Sequence, residues 1–342
     1  MTQSNRRTRT FAGTPVGPVG LGCMGMSWAY SASERDDEAS TALIREALDL
    51  GVTFLDTAQA YGAGENESLV GRALAGRRDE AVLATKTGLV VENREDFSIT
   101  TNGRPEHVKG SAVESLRRLG TDVIDLYYLH RVDPQVPLAE TWGAMAELVA
   151  EGKVKHLGLS EVTVAQAEEA HGIHPVAAIQ SELSLWTRDA MGVPGGSVGA
   201  LLGGAPVTGG EGPGDVVGWC AANGAAFVPF SPLGRGFLTG TVTAADIEDS
   251  DYRARNPRFQ EEALKANQRI VEVVRRVAER HGATPAQVAI AWTLAQGEHV
   301  IPIPGTKKAR YLRDNAGAAD LDLTKEDLAE LDDLPAAVGN RY

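Results

Sequence analysis

Short apolar segments alternate with longer amphipathic segments along most of the chain. The short segments are rich in Val, Ile, Leu and Phe, and their lengths are typical of strands. We predict eight strands, at residues 20–24, 53–56, 81–86, 124–130, 154–160, 177–182, 226–229 and 300–304. Between them, apolar positions recur with helical spacing, most clearly over residues 38–50, 105–119, 138–151 and 261–281.

Strands that alternate with helices indicate parallel pairing through βαβ units. Eight such units are typical of a (β/α)8 barrel, an α/β fold of roughly 250 residues plus insertions. We therefore predict a TIM barrel that forms a single domain over residues 1–342, with a doubly wound open sheet as the alternative. Residues 9–20 predict an N-terminal β-hairpin at the floor of the barrel.

Residues 192–214 interrupt this alternation, because they contain ten glycines and no charged residue before Glu211. Such a composition is foreign to helices and strands. A loop of this length is either functional or disordered. We interpret the segment as a Gly-rich loop insertion, and two hypotheses stay open for it: a flap near the substrate or cofactor, or an insertion without a role.

Composition and charge narrow the class of protein. A formal net charge of -13 at pH 7 argues against a nucleic-acid-binding protein, which usually has a basic surface. The two cysteines, Cys23 and Cys220, are too few for a disulfide framework. We see neither a secretory signal nor a segment near the roughly 18 consecutive apolar residues of a membrane span. We expect a cytoplasmic globular protein without nucleic-acid or membrane partners, and we predict no particular oligomeric state.

Gly20, Gly22 and Gly25 spell the pattern G-x-G-x-x-G over the first predicted strand and the residue that follows it. In a dinucleotide-binding fold, the third glycine opens a helix and an acidic residue follows about 20 positions later. Here the sequence continues MSWAYSA, and no helix is credible before about Glu34. We interpret these glycines as close packing at the end of a strand.

Four polar residues lie at or just after the carboxyl ends of the second, third and fourth predicted strands: Asp56, Tyr61, Lys86 and His130. In a closed parallel barrel these ends converge on one face, where the active sites of this fold lie. Taken singly, each residue has an ordinary structural explanation, such as a helix cap, packing or exposure to solvent. Their grouping at successive strand ends predicts a catalytic site.

Carbonyl reduction suits these four residues. Hydride that reaches a carbonyl carbon leaves negative charge on the oxygen, so a proton donor must be close. Tyr61 can donate, although the pKa of a free tyrosine is about 10. The ammonium group of Lys86 would lower that pKa, with Asp56 holding Lys86 in place. His130 could orient the carbonyl or share in the proton transfer. This chemistry needs no metal ion, and we predict no metal site.

Over nearly its whole length the sequence resembles the aldo-keto reductases. The matching stretches include FLDTAQAYG at residues 54–62, GLSE at 158–161, PFSPLGRGFLTG at 229–240 and IPIPGT at 301–306, in family order. The stretch SPLGRGFLTG resembles the bacterial and plant branch of the family. The resemblance implies NADPH-dependent reduction of a small carbonyl substrate, with a catalytic tetrad of Asp56, Tyr61, Lys86 and His130.

The resemblance also implies where the cofactor lies, extended across the barrel mouth without a separate dinucleotide-binding domain. Ser160 and Gln180 would bind the nicotinamide carboxamide, and Phe230 would stack on the ring. Lys307 would contact the 2′-phosphate, at a helix start that attracts anions through its free N–H groups. The remaining expected contacts, to the pyrophosphate and to the adenosine end, are Ser231, Leu233, Arg235, Gly305, Thr306 and Asn315.

Glu161 departs from the family, since many relatives carry Asn at its position. A carboxylate cannot donate a hydrogen bond, but it can accept one from the carboxamide NH₂. Aromatic residues near the predicted mouth indicate a partly apolar substrate pocket, with Trp28, Tyr30, Tyr61, Arg131 and Trp186 as candidate lining residues.

Two other functions stay open at this point. Lys86 can instead be the Schiff-base nucleophile of an aldolase, which requires a neutral amine that a partner such as Asp56 would disfavour. Alternatively, the barrel binds NADP(H) without turnover and reports redox state to another protein, since a fold alone does not decide function.

Overall fold

Parallel strands joined by helices form most of the molecule. The structure, a computed structural model, describes residues 8–193 and 214–341. Its strands are β1 Arg9–Phe11, β2 Thr14–Val16, β3 Leu21–Gly22, β4 Phe54–Asp56, β5 Val82–Thr87, β6 Leu89–Asn93, β7 Ser98–Thr101, β8 Ile124–Leu129, β9 Val154–Ser160, β10 Val176–Gln180 and β11 Ala226–Phe227. Its helices are α1 Asp37–Asp49, α2 Glu65–Leu74, α3 Pro105–Leu119, α4 Leu138–Ala150, α5 Val164–Ile173, α6 Val216–Ala222, α7 Glu261–His281, α8 Pro285–Leu294, α9 Ala309–Gly317 and α10 Lys325–Asp332.

Seven of the strands form one curved sheet, in the order β3, β4, β5, β8, β9, β10 and β11, and every neighbouring pair is parallel. The predicted helices at 105–119 and 261–281 have the observed bounds, and those at 38–50 and 138–151 differ by one residue at one or both ends. The predicted α/β class and (β/α)8 barrel are confirmed.

The eighth predicted strand, at residues 300–304, is not a regular strand. The segment still closes the barrel, since the N–H groups of Ile301 and Ile303 donate to β11 and to the residues after it, at 2.9 and 3.1 Å. On its other side, the carbonyl of Pro302 accepts from Gly20 at 2.8 Å. Because Pro302 and Pro304 have no N–H, neither residue can donate a hydrogen bond to β3.

The N-terminal hairpin of β1 and β2 covers the end of the barrel opposite the carboxyl ends of the strands. Phe11 is buried and meets the rings of Phe54 and His156 edge to face, with centroids 5.7 and 5.5 Å apart. It belongs to the apolar cluster that fills the barrel interior, together with inward-facing residues of the strands. The predicted hairpin is therefore present, and its aromatic side chain fills the barrel floor.

Two structured segments on the catalytic face were not predicted. The antiparallel pair of β6 and β7 lies between β5 and α3, where the sequence has no strand-like alternation. A series of 3-10 turns over residues 244–259 lies beside the loop after β3, and the N–H of Tyr252 donates to the carbonyl of Ala29 at 2.9 Å. Both segments help to wall the barrel mouth.

Of the Gly-rich segment 192–214, residues 194–213 lie outside the described residues. The glycines at 20, 22 and 25 open no α-helix, because the first α-helix starts only at Asp37. Within the described part of the chain, every helix is too short or too polar to cross a lipid bilayer.

Candidate active site

An ion pair between Asp56 and Lys86 forms the base of the site. Asp56 ends β4 and Lys86 lies near the end of the adjacent strand β5, so both point from neighbouring strand ends into the mouth. Both side chains are buried, and Lys86 Nζ lies 2.5 Å from Asp56 Oδ1. The ammonium group also donates to the carbonyl of Thr57 at 2.9 Å and to Tyr61 Oη at 3.0 Å. Three acceptors thus surround the three donors of Lys86.

The charge state of Lys86 follows from these partners. Burial by itself would lower the pKa of this amine, but the neighbouring Asp56 and Tyr61 outweigh it and raise the pKa. Lys86 is therefore an ammonium ion at neutral pH. A neutral amine, which a Schiff-base mechanism needs, is disfavoured.

Tyr61 lies in a short turn after β4, and its hydroxyl accepts a hydrogen bond from Lys86. The turn reverses through Gly62 and Gly64, whose φ angles of 61° and 93° favour glycine. Burial raises the pKa of Tyr61, and the nearby Lys86 offsets only part of that increase. The expected lowering of this pKa is therefore not found, and Tyr61 keeps its proton at neutral pH.

His130 completes the group at the end of β8. Its ring meets that of Tyr61 edge to face, with the centroids 5.8 Å apart. Burial and the cations Lys86 and Arg131 hold the pKa of His130 well below its usual range, so the imidazole is neutral. Its Nδ1 atom is buried and has no hydrogen-bond partner among the described residues. The structure thus brings the four predicted residues together.

Asn66, at the start of α2, supports this arrangement and was missed in the sequence. Its amide NH₂ donates to the carbonyl of Cys23 at 2.8 Å and to Ser27 Oγ at 2.9 Å, and its oxygen accepts from Thr57 Oγ1 at 2.7 Å. Since the Thr57 carbonyl also accepts from Lys86, Asn66 fixes the backbone around the ammonium group. A fully buried Asn on the inner face of a helix is the signal that points to such a network.

Ser160 and Gln180, at the ends of β9 and β10, lie next to the four residues. The amide of Gln180 donates to Asp56 Oδ2 at 2.8 Å. The hydroxyl of Ser160 accepts from the guanidinium of Arg131 at 3.1 Å. Both side chains are buried at the mouth, where two polar groups from adjacent strands can face a planar amide.

Glu161, Glu182, Arg235 and Arg341 form a group of buried charges beside these residues, which we call the four-charge cluster. Arg341 Nη2 lies 2.5 Å from Glu161 Oε2, and Arg341 Nε lies 2.8 Å from Glu182 Oε2. Arg235 Nη2 lies 2.9 Å from the same Glu182 oxygen. Burial would raise the pKa of Glu182, but the guanidinium groups outweigh it and lower this pKa to about 2. Arg341 was not predicted as a site residue.

The expected pyrophosphate contacts lie in the loop after β11. Ser231 and Arg235 have φ angles of 51° and 57°, which are unfavourable for residues other than glycine. Leu233 is half-buried against the core. The side chain of Arg235 is paired with Glu182 in the four-charge cluster.

The expected 2′-phosphate contact, Lys307, is bound to the loop that follows β3. Its Nζ atom lies 3.1 Å from the carbonyl of Ser31, 3.4 Å from that of Tyr30 and 3.4 Å from Glu34 Oε2. Lys308 pairs with the same carboxylate at 2.9 Å. A carboxylate therefore lies between the two cations where a phosphate is expected.

The other residues expected at the adenosine end lie close to Lys307. Gly305 forms a parallel bridge to Gly22, and Thr306 Oγ1 accepts from the N–H of Lys308 at 3.1 Å. Asn315 is buried in α9.

Aromatic side chains line the mouth beside Tyr61. The ring of Trp28 lies 6.4 Å from that of Tyr61 and 5.6 Å from that of Phe97, which in turn lies 6.2 Å from Tyr252. Phe97 and Tyr252 come from the two unpredicted segments. Trp186 belongs to the main core and lies apart from this aromatic cluster.

A parallel barrel with a protonated tyrosine, a buried ammonium and a neutral histidine at its mouth is suited to an oxidoreductase that acts on carbonyl groups. The model of the Aldo/keto reductase family matches residues 18–193 and 213–336 of this chain. A probable aldo-keto reductase 1 from Glycine max is 40% identical over 334 residues, which cover 96% of this chain and 89% of that protein. The chain belongs to the aldo/keto reductase family.

Solved structures agree with this assignment. A glycerol dehydrogenase from Gluconobacter oxydans has a TM-score of 0.81 at 28% identity, over 95% of this chain and 94% of that chain. An aldo/keto reductase from Klebsiella pneumoniae, in complex with NADP and acetate, has a TM-score of 0.67 at 25% identity, over 98% of both chains.

Proposed function

We propose that this protein reduces an aldehyde or ketone to an alcohol with NADPH, and that Tyr61 is the proton donor. One observation carries the role of Tyr61. Its hydroxyl accepts a hydrogen bond from Lys86 at 3.0 Å, and an ammonium cannot accept one in return. The phenolic hydrogen is thus available to a substrate oxygen at the mouth.

Each of the four residues has a distinct part in this reaction. Bound NADPH supplies the hydride to the carbonyl carbon. Tyr61 gives its proton to the carbonyl oxygen as negative charge develops there, and Lys86 stabilises the phenolate that is left. Asp56 keeps Lys86 charged and in position. His130 is neutral, and we assign to it the hydrogen bond that orients the carbonyl.

The polar groups around the mouth fit a nicotinamide nucleotide. We place the carboxamide between Ser160 and Gln180 and the ring against Phe230, next to the four residues. The loop with Ser231, Leu233 and Arg235 would follow the pyrophosphate. Residues Gly305, Thr306, Lys307 and Asn315 would hold the adenosine end, and the NADP bound to the Klebsiella pneumoniae relative supports this choice of nucleotide.

We further propose that the chain is a single barrel domain with an insertion at 192–214. The family match is interrupted between residues 193 and 213, which supports an insertion relative to other members. A small carbonyl compound is the expected partner, and a cytoplasmic location stays a prediction from the sequence.

The variant Tyr61→Phe tests the proposed acid. It removes the donated proton but keeps the ring, so kcat for carbonyl reduction should fall by about 10²-fold to 10⁴-fold. Binding of NADPH, followed by quenching of tryptophan fluorescence, should stay within about twofold. Exposed Tyr311→Phe is the matched control and should leave both quantities unchanged. Near-normal turnover by Tyr61→Phe would exclude Tyr61 as the acid.

The variant Lys307→Gln tests the proposed phosphate contact. Only NADPH carries the 2′-phosphate, so the dissociation constant for NADPH should rise at least tenfold while that for NADH changes little. Lys325→Gln, at the start of α10, controls for the loss of one positive charge. Equal losses for NADPH and NADH would show that the phosphate binds elsewhere.

A further inference from the structure

The four-charge cluster lies beside the proposed nicotinamide site, and the proposed reaction uses none of its side chains. Arg235 enters the proposed function only through the loop that would follow the pyrophosphate. Its side chains are 11, 1, 5 and 4% exposed for Glu161, Glu182, Arg235 and Arg341. Within the cluster, two carboxylates contact two guanidinium groups, so the formal charges of its four members cancel, and the buried guanidinium of Arg258 lies near enough to help lower the pKa of Glu182. A buried group of this kind is sensitive to the removal of any one member, because the remaining charges are then unbalanced.

The cluster adjoins the residues that we assign to the nicotinamide. Glu161 directly follows Ser160, and its N–H donates to the carbonyl of Gln180 at 2.9 Å. The guanidinium carbon of Arg341 lies over the ring of Phe230, 6.0 Å from its centroid. Arg341 therefore places a positive charge at the aromatic side chain on which the nicotinamide is expected to stack.

A charge in this position distinguishes the two forms of the cofactor. The oxidised nicotinamide ring of NADP⁺ carries one positive charge, and the reduced ring of NADPH is neutral. A nearby cation repels only the oxidised ring, and a nearby carboxylate attracts only the oxidised ring. Because burial weakens screening by water, both effects are larger here than at the surface.

We propose that Arg341 and Glu161 set the relative affinity of the site for NADPH and NADP⁺. Arg341 disfavours the oxidised cofactor, and Glu161 favours it. Their ion pair holds the two effects in balance, which makes both of them specificity-determining residues for the redox form of the cofactor. This inference rests on the nicotinamide placement of the proposed function.

Charge-removing variants of the pair should shift the affinity ratio in opposite directions. Arg341→Gln leaves one excess negative charge, so NADP⁺ binding should strengthen relative to NADPH by about tenfold. Glu161→Gln leaves one excess positive charge, and the ratio should change by about tenfold the other way. The double variant should return close to the ratio of the unmodified protein. Dissociation constants are measured by tryptophan quenching at pH 8 and low salt, without substrate.

Two further variants keep the test decisive. Arg341→Lys retains the charge and should retain the ratio. Arg117→Gln, on an exposed face of α3, removes a distant positive charge and should also leave the ratio unchanged. If Arg341→Gln does not fold, the opposite shift of Glu161→Gln still tests the proposal.

Three results would overturn or redirect it. An equal change in both dissociation constants for Arg341→Gln would mean that the side chain acts by occupying space, and an unchanged ratio in both single variants would remove the charge effect. Ser160→Ala tests the placement of the nicotinamide separately and should weaken binding of both forms. If Ser160→Ala has no effect on binding, the nicotinamide placement itself is wrong. If Ser160→Ala weakens binding but the charge variants keep the affinity ratio of the unmodified protein, only the present inference fails.

Discussion

Burial changes the proton affinity of the two titrating residues closest to the reacting oxygen. For His130, burial and neighbouring cations hold the pKa well below the ordinary 6.5, so the ring gains a proton only in acid. For Tyr61, burial raises the pKa above the ordinary 10.0 despite the ammonium of Lys86, so the hydroxyl loses its proton only in alkali. Neither residue changes its charge between these acidic and alkaline limits of pH.

The rate of carbonyl reduction should therefore be flat across neutral pH. With saturating NADPH, we expect kcat to vary by less than about twofold between about pH 6 and pH 9, because Tyr61 stays protonated and His130 stays neutral. Steady-state rates in a constant-ionic-strength buffer check this. A decline with a midpoint near 6.5 would show that His130 titrates normally and that its environment is more polar than the structure indicates.

The catalytic residues could be predicted from the sequence because each follows an apolar segment that a parallel barrel brings to one face. Arg341 could not, since it lies beyond α10 in a segment without periodicity and reaches the site only through the tertiary fold. Phe97 and Tyr252 could not be predicted as site residues for the same reason, because both lie outside the regular strands and helices. The raised pKa of Tyr61 was also missed, because a sequence reveals the nearby Lys86 but not the extent of burial.

Among the elements, helices were easier to predict than the last strand. The long helices carry a continuous apolar face, and one of them, α1, begins at a side-chain cap, Asp36. The shorter helices α5 and α8 begin at the capping boxes of Thr163 and Thr284. The closing segment has the apolar residues of a strand, but its prolines prevent regular pairing. The pair β6 and β7 has its apolar residues only at 89–91 and 99, which is too short a pattern to predict two strands.

Two glycines in neighbouring helices should respond oppositely to substitution by alanine. A β-carbon at Gly71 in α2 would lie 2.7 Å from the carbonyl oxygen of Leu119, whereas one at Gly110 in α3 meets no other described part of the chain within 4 Å. Gly71→Ala should lower the free energy of unfolding by about 1–3 kcal/mol, because α2 must move away from α3. Gly110→Ala should raise it by about 0.5–1 kcal/mol.

Urea denaturation followed by circular dichroism measures both changes. The two variants introduce the same methyl group, so each serves as the control for the other. Shifts of the same sign would contradict the close approach of α2 and α3.

In the whole molecule, the candidate catalytic residues and the residues that stabilise the barrel floor lie at opposite ends of the barrel axis. The four candidate catalytic residues lie at or just after the carboxyl ends of the strands, and Phe11 fills the opposite end. Phe11→Ala should lower the free energy of unfolding by about 3–5 kcal/mol, because it leaves a cavity between Phe54 and His156. At a temperature where the variant is folded, kcat should be unchanged. Thermal melting together with steady-state rates checks this, and a loss of kcat without a loss of stability would show that the floor and the mouth are coupled.

The barrel is closed at residues 300–304, and this closing segment is bound less regularly to β3 than neighbouring strands are bound to each other in the middle of the sheet. β8 pairs with β5 over four residue pairs and with β9 over five, but the contact between residues 302–304 and β3 lacks the hydrogen bonds that two prolines cannot donate. Local fluctuations should begin along this line, and the amide hydrogens of Gly20 and Gly22 should exchange with solvent earlier than those of β8 and β9. Lys307 crosses the same line at the catalytic end, where it holds the carbonyls of the loop after β3. Lys307, the residue expected to bind the phosphate, thus also connects the two segments that close the barrel.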